Sequence, residues 1–472
     1  MNPFNPAATP ANGAIAAHRF GLGEPDLAIV TPDPRSWLLA QIGPAEAQHG
    51  SDLPGIQVAL ERQMQARKAV QVSAAAGAAE SAKDPYRETI AADIRARLST
   101  SASTNRPFAE RLALFWSNHF SVSNAKGSSR GLVGAFEREA IRPHIAGKFA
   151  DMLVASTTHP AMLRYLDNSQ SAGPNSRAVT AARRRAQRQP DSAPPRLTGL
   201  NENLGREVLE LHTLGVAEHA YSQADVTALA AVLSGWRGPV PDRPANASAP
   251  DAIGFDANWH EPGDKTVLGQ RWPEGPQALP ALLRRLAQHP STARFISTKL
   301  ARHFVADVPP PALVERLTSA YLDSGGDLPA VYAALVGSPE AWQVAPQKLK
   351  SPEEFVISSA RLLRLGDKLA DRMRGAPDAG IAALGQRLQA PTSPAGWPDR
   401  AEDWIGPEAV WKRVEWVARL AERMGGTLDA RALAVASLGP RLTEATRIEI
   451  ERAADGTQAL SLLLLAPEFQ RR

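Results

Sequence analysis

Three features of the sequence predict a mainly α-helical fold. Apolar residues recur at three- and four-residue spacing in most windows, the period of a helix with one buried face. Ala, Leu, Arg, Glu and Gln, all good helix formers, dominate the composition. Proline-rich joints separate the periodic windows: PDP at 32–34, PVPDRP at 239–244, VPPP at 308–311 and PTSP at 391–394. Proline lacks a backbone donor and clashes with the preceding turn, so it ends helices.

Taken in order, the periodicity predicts helices over 36–43, 55–71, 84–100, 107–120, 132–156, 201–215 and 222–235. In the second half it predicts them over 278–287, 291–305, 311–323, 352–365, 406–424, 441–453 and 456–466. Alternating strands are scarce. KTVLG at 265–269, running into QRW, reads as a short β-hairpin near 264–272. Three stretches read as loose: 1–12, the small-residue run 72–84, and 170–198. The last is low in large apolar residues, so burial does not offset its ordering entropy. Proline, Ala and Asn cluster near 239–250 without helical spacing. A break there gives an N-terminal helical region, 1–240, carrying the insert 170–198, and a C-terminal helical region, 250–472. One continuous domain is the other reading.

Of the 472 residues, 43% are apolar and 22% charged, enough to bury a sizeable core. The longest run of large aliphatic residues is LLLL at 462–465, far short of the roughly 18 a membrane span needs. The start, MNPFNPAATPANGAIAAHRFGLG, has no basic n-region followed by an apolar stretch, so the chain as written reads as cytoplasmic. Export with a partner stays open. There is no cysteine, which excludes disulfides, zinc–thiolate sites, iron–sulfur clusters and thiol nucleophiles. The formal net charge is +4. Arg177, Arg183, Arg184, Arg185, Arg188 and Arg196 stand against one acid, Asp191, between 170 and 200. That segment holds more than the whole excess, so the body is close to neutral. The segment is either a solvated loop or an arm for an acidic partner or nucleic acid, through Arg183, Arg184, Arg185 and Arg188.

Three constellations carry candidate chemistry. In FWSNHF, 115–120, helical geometry puts Phe108, Leu112, Phe115 and His119 within about 60° of one another. His119 therefore faces the core, as a structural histidine with one polar bond or as a ligand or base at a pocket floor. Asn118 lies beside it. NENLGREVLELHTLG, 201–215, is a helix with Asn201 as N-cap and Gly215 as stop. Leu204, Val208 and Leu211 form its stripe, with Glu207 at one border and His212 at the other. Glu207 and His212 lie roughly 140° apart, too far around to share a metal as a Glu-x-x-His pair does. The third is FDANWHEPGDKTVLG, 255–269. There His260, Glu261, Asp264 and Lys265 crowd a Pro-Gly turn, as acid–base groups, as ligands for a divalent metal, or as a solvated turn with a local ion pair.

Ser222 with Asp225 reads as a near capping box, and His303 as a cation near the end of the 291–305 helix. Walker A, GxGxxG and GxSxG motifs are absent, which argues against nucleotide-dependent phosphoryl transfer, Rossmann redox and α/β-hydrolase chemistry.

These pieces resemble, in order, the bacterial family catalogued as domain of unknown function 1800. AAHRFGLGEP, FWSNHF, HPAMLRYLDN, NENLGREVLELHTLGV, YSQADV, LSGW and HEPGDKTVLG carry the resemblance in the first part. KSPEEFV, LGQRL, PTSPAGWP and APEFQRR carry it in the rest. The resemblance covers roughly 14–472, apart from the basic insert and 72–84. It brings no established activity. It implies a protein partner of a sulfatase-like kind, from a second family, domain of unknown function 1501. It also implies Phe at position 212 in many relatives.

Two readings follow. In the first, Asn118, His119, Glu207, His260, Asp264 and Lys265 converge on one polar pocket, with His119, His260 and Asp264 as ligands of a divalent metal. A hydrolytic reaction is then the least demanding assignment. In the second, the chain is a non-catalytic scaffold for the sulfatase-like partner. Nucleic-acid contact through the arginine-rich insert is a third, weaker reading.

Overall fold

A computed structural model describes residues 10–75, 84–188, 199–216, 220–238, 254–346, 348–373 and 375–472. The fold is mainly α, as the periodicity predicts. The described strands are the hairpin Lys265–Val267 and Gln270–Trp272, paired antiparallel with Lys265 opposite Trp272. Leu268 and Gly269 both take positive φ at its tip, the twist a tight hairpin needs. No described helix is long and apolar enough to cross a membrane.

Several helices fall close to their sequence windows because their ends are chemically marked. Pro107–His119 and Pro290–Phe304 each begin with proline in the first turn. Ser222 and Asp225 form a reciprocal capping box, as do Ser351 and Glu354. The predicted helix 132–156 is broken. Val133–Phe136 runs into a π turn, Glu137–Ile141, then a 3-10 turn, Arg142–His144, and a new helix, Phe149–Thr158. Pro143 cannot donate to a continuing helix, and this forces the break.

The insert differs from its reading as a loose stretch. Arg177–Arg188 is a helix, docked through buried Val179. Asn175 clamps Glu261 just before it, donating from its backbone at 2.9 Å and from its side chain at 2.6 Å. These tertiary bonds outweigh the unfavourable composition. Residues 189–198 lie outside the described residues, as do 1–9, 76–83 and the stretch 239–253 where a domain break is expected.

The apolar interior forms two cores. The first draws on residues 14 to 342, so chain on both sides of 239–253 packs together, around Phe20, which stacks on Phe304 and meets Phe108 edge-on and Trp342 at a tilt. The second, around Phe355, Trp416 and Phe469, draws mainly on residues 355–469. Leu114, from a helix that otherwise serves the first core, reaches into the second, which also takes Leu98 and Ala102 of Arg87–Ser103. The seam between the cores is where polar side chains gather.

Candidate functional site

A cavity of about 400 Å³ opens at this seam. Phe115, Val133 and Phe136 of the first core and Leu114 and Leu388 of the second form part of its wall. Two helices supply seven of its polar side chains. Pro107–His119 contributes Arg111, Ser117, Asn118 and His119; Pro290–Phe304 contributes Lys299, Arg302 and His303. The loop 386–404 closes the other side.

That loop is held by the FWSNHF segment. The Asn118 side chain donates to the Trp397 carbonyl at 2.9 Å and accepts from the Trp397 amide at 2.8 Å. Gly396 sits between, at φ +82°; a Cβ there would lie 2.4 Å from the Asn118 carbonyl oxygen. Glycine is required both by the backbone and by the close approach. Ser123 donates to the Pro391 carbonyl at 2.8 Å, and Asn124 to the Gln389 carbonyl at 2.8 Å. The resemblance motifs FWSNHF and PTSPAGWP are thus two halves of one joint.

His303 ends the Pro290–Phe304 helix with its ring against Phe115, centroids 5.2 Å apart. Its Nδ1 faces Asp399 Oδ2 at 3.3 Å, and its Nε2 has no partner. Burial pushes the imidazole below its ordinary range, and the Asp399 carboxylate only partly offsets this, so His303 is neutral at pH 7. With the proton on Nδ1, facing Asp399, the Nε2 lone pair is left without a partner among the described residues. Asp399 is itself fixed from behind. Buried Lys348 lies 3.2 Å from its Oδ1 and also pairs with Asp307 at 2.5 Å. Burial alone would raise the Asp399 carboxyl; His303, Lys348 and Arg472 outweigh it and hold it below the ordinary range.

Lys299 lies one turn before His303, its ammonium 5.6 Å from the Phe295 ring centroid. The side chain is half-buried. Burial pushes its pKa down to about 8, with Asp399 opposing. Buried Arg111 donates Nε to the Gly21 carbonyl at 2.7 Å and Nη1 to Glu354, and leaves Nη2 unpartnered. Glu354 also receives Arg472, 2.9 Å away, and the two guanidiniums hold its carboxyl well below the glutamate range despite burial. Deeper still, Arg97 bridges Glu353 and Glu137.

The other sequence candidates are placed as follows. His119 is 1% exposed and lines the cavity. Its Nε2 faces the His212 carbonyl at 3.2 Å, its Nδ1 is unpartnered, and burial holds it neutral. His260 does not line this cavity. Its Nδ1 faces the Ser234 carbonyl at 2.7 Å, and its Nε2 lies 3.0 Å from Lys265 Nζ and accepts from the Gly275 amide at 3.3 Å. His260 and Lys265 therefore tie the foot of the hairpin to the end of the Gln223–Leu233 helix. Asp264 pairs with Arg271 across the exposed hairpin at 2.6 Å. Glu207 is half-buried, its carboxyl raised by burial and by Glu210. The structure thus brings Asn118 and His119 together, and His260 and Lys265 together, in separate places. Among the described residues no three His, Asp or Glu side chains are grouped to hold a metal ion.

The helix after Asn201 shows why the wheel misjudged position 212. Asn203–Glu207 passes into a π turn, Val208–Thr213, and the Thr213 hydroxyl donates five residues back to Val208. The extra residue in the turn rotates Leu211 outward and His212 fully inward, 0% exposed, with both ring nitrogens unpartnered.

His303, Lys299 and Asp399 are the residues that sequence reasoning passed over. The signal was Lys and His four apart on one predicted helix; Asp399 directly follows the GWP turn.

The family model described as "Protein of unknown function (DUF1800)" matches residues 15–471. The chain belongs to the DUF1800 family. No curated protein and no solved structure matches it. In this DUF1800 chain the matched stretch includes both helices and the loop that build the cavity.

Proposed function

We propose that the cavity is an acid–base active site acting on a small molecule, and that the reaction is hydrolytic. The observation that carries this reading is cavity-lining His303, held through Nδ1 by Asp399, with its buried Nε2 left without a partner among the described residues. A neutral imidazole so oriented takes a proton from water as the water attacks an electrophilic centre, and returns it to the leaving group. Lys299, one turn away, supplies positive charge to the oxyanion that develops. Asn118 positions the loop that carries Trp397 and Asp399, and His119 forms part of the wall. A cavity of about 400 Å³ lies within the usual range for small-ligand sites.

The test is a panel of chromogenic carboxylic and phosphoric esters assayed with the wild type and with His303→Ala. Turnover in the wild type that falls by about 10²-fold or more in the variant supports the reading. Turnover of equal size in both proteins contradicts it.

A second reading, assembly with a sulfatase-like partner, is favoured by Trp411, 63% exposed beside Ile405 and Val410 and close in sequence to the cavity rim. Co-purification from a strain expressing both proteins, lost in Trp411→Glu, tests it. For nucleic-acid contact the supporting feature is the alignment of Arg177, Arg184 and Arg188 within about 40° of one another, opposite buried Val179. Salt-dependent DNA binding that survives reversal of these arginines would remove that idea.

A further inference from the structure

Four of the five carboxylates that line the cavity are paired with cations, the exposed Asp403 having no ion pair among the described residues, and the wall keeps some unpaired positive charge. Glu137 and Glu353 are both taken by Arg97. Glu354 is taken by Arg111 and Arg472, and Asp399 by Lys348 and His303. On the cationic side, Lys299 has no hydrogen bond or ion pair among the described residues, and Arg302 meets only the Asp307 carbonyl, at 3.3 Å. Arg111, 1% exposed, leaves Nη2 unpartnered, and Trp397 leaves Nε1 unpartnered. Arginine and tryptophan side chains donate and never accept, so an orphan atom on either calls for an acceptor. A buried donor without a protein partner is costly, and each such atom in a native structure calls for an explanation. Both residues line the same cavity as the Lys299 ammonium.

We propose that the cavity takes a small organic anion, its carboxylate or phosphate group held among the cavity-lining cations Lys299, Arg302 and Arg111. Phe115, Phe295 and Trp397 then offer an apolar wall for the body of the ligand. With Asp403 set against Lys299, Arg302 and Arg111, the surplus is about two positive charges, which suits one oxyanion group on an organic skeleton better than a polyanion. The lowered pKa of Lys299 fits an ammonium that lacks a counter-ion and would regain one from the ligand. This inference deepens the reading of the cavity as an active site, but it does not need His303 to act as a base.

The experiment titrates the full chain, at fixed ionic strength, with benzoate, phenyl phosphate and the neutral analogue benzamide, following cavity resonances by NMR. Saturable shifts with benzoate or phenyl phosphate, absent with benzamide, are expected. The stronger of the two anions tells a carboxylate site from a phosphate site. Lys299→Met, close in shape and checked for an unchanged melting temperature, is expected to weaken that binding by on the order of tenfold. Arg302→Met serves as the second variant if Lys299→Met does not fold. Benzamide binding as tightly as the anions, no saturable shift with any probe, or anion binding unchanged in both variants would overturn the proposal. Anion binding that persists while His303→Ala keeps full turnover would sink the catalytic reading and leave this one standing. Turnover lost in His303→Ala with no preference for anions would do the reverse.

Discussion

His303 Nδ1 lies 3.3 Å from Asp399 Oδ2, and Asp399 is held in turn by Lys348, a lysine that is 1% exposed. A cavity-lining histidine at a helix end thus becomes one member of a polar chain whose last unpartnered atom is Nε2. Asp399 raises the imidazole pKa while burial lowers it, and burial wins. Asp399→Asn removes the raising influence and keeps the burial. The His303 pKa is expected to fall further in the variant, read by NMR titration; an unchanged value would show that Asp399 does not orient the ring.

Glu354 caps its own helix, accepts from the Ser351 amide at 3.0 Å, and pairs with Arg111 and Arg472. Glu354→Gln leaves two buried guanidiniums short of charge. A loss of about 3–5 kcal/mol is expected in denaturant unfolding. The carboxyl is held below its ordinary range when folded, so its stabilisation is full above the unfolded pKa of about 4.3 and is lost as pH falls below that. The wild type is therefore expected to lose stability faster than Glu354→Gln below that pH. Parallel acid limbs would contradict this.

His119 and His212 are both buried, neutral and near Lys299. Burial drives His212 down to about 3, so the unfolded chain binds a proton the folded one refuses between roughly pH 6.5 and 3. Stability falls with pH across that window by about 1.4 kcal/mol per unit per such histidine. His212→Phe removes two unpartnered nitrogens and one of these protons. It is expected to raise the melting temperature at pH 7 and to flatten the pH 6.5–3 limb. A lower melting temperature at pH 7 with an unaltered limb would count against the assignment.

Gly396 and Asn118 make the joint that shapes the cavity. Gly396→Ala puts a Cβ against the Asn118 backbone at a positive φ, and Asn118→Ala removes both bonds to Trp397. Each is expected to cost about 1–3 kcal/mol and to speed amide exchange across 391–399 more than elsewhere. Uniform exchange across the chain would place the effect in global stability instead.

Much of the architecture is legible because helix ends are written in local chemistry: Ser222 with Asp225, Ser351 with Glu354, and the prolines at 107, 290, 311 and 352. The failures have physical causes. Leu328–Gly337 has no charged residue to mark an outer face. Arg177–Arg188 is stabilised by docking on the Glu261 loop, which composition does not show. His212 turns inward through a π turn that no wheel anticipates. At the site, Asn118 and His119 were legible from polar residues ending an apolar stripe. His303 and Lys299 read as an ordinary helix terminus until Asp399, nearly a hundred residues on, is brought beside them. The polar crowd at His260 and Lys265 drew attention by density in sequence, yet its groups satisfy one another.

The most direct measurement of the central claim is the ¹⁵N imidazole spectrum of histidine-labelled protein from pH 5 to 9, with His303 assigned by substitution. A neutral ring at pH 7 with its proton on Nδ1, and an Nε2 resonance that moves when benzoate or phenyl phosphate is added, is the predicted result. A proton fixed on Nε2 at pH 7, or a ring already charged at that pH, would contradict the account.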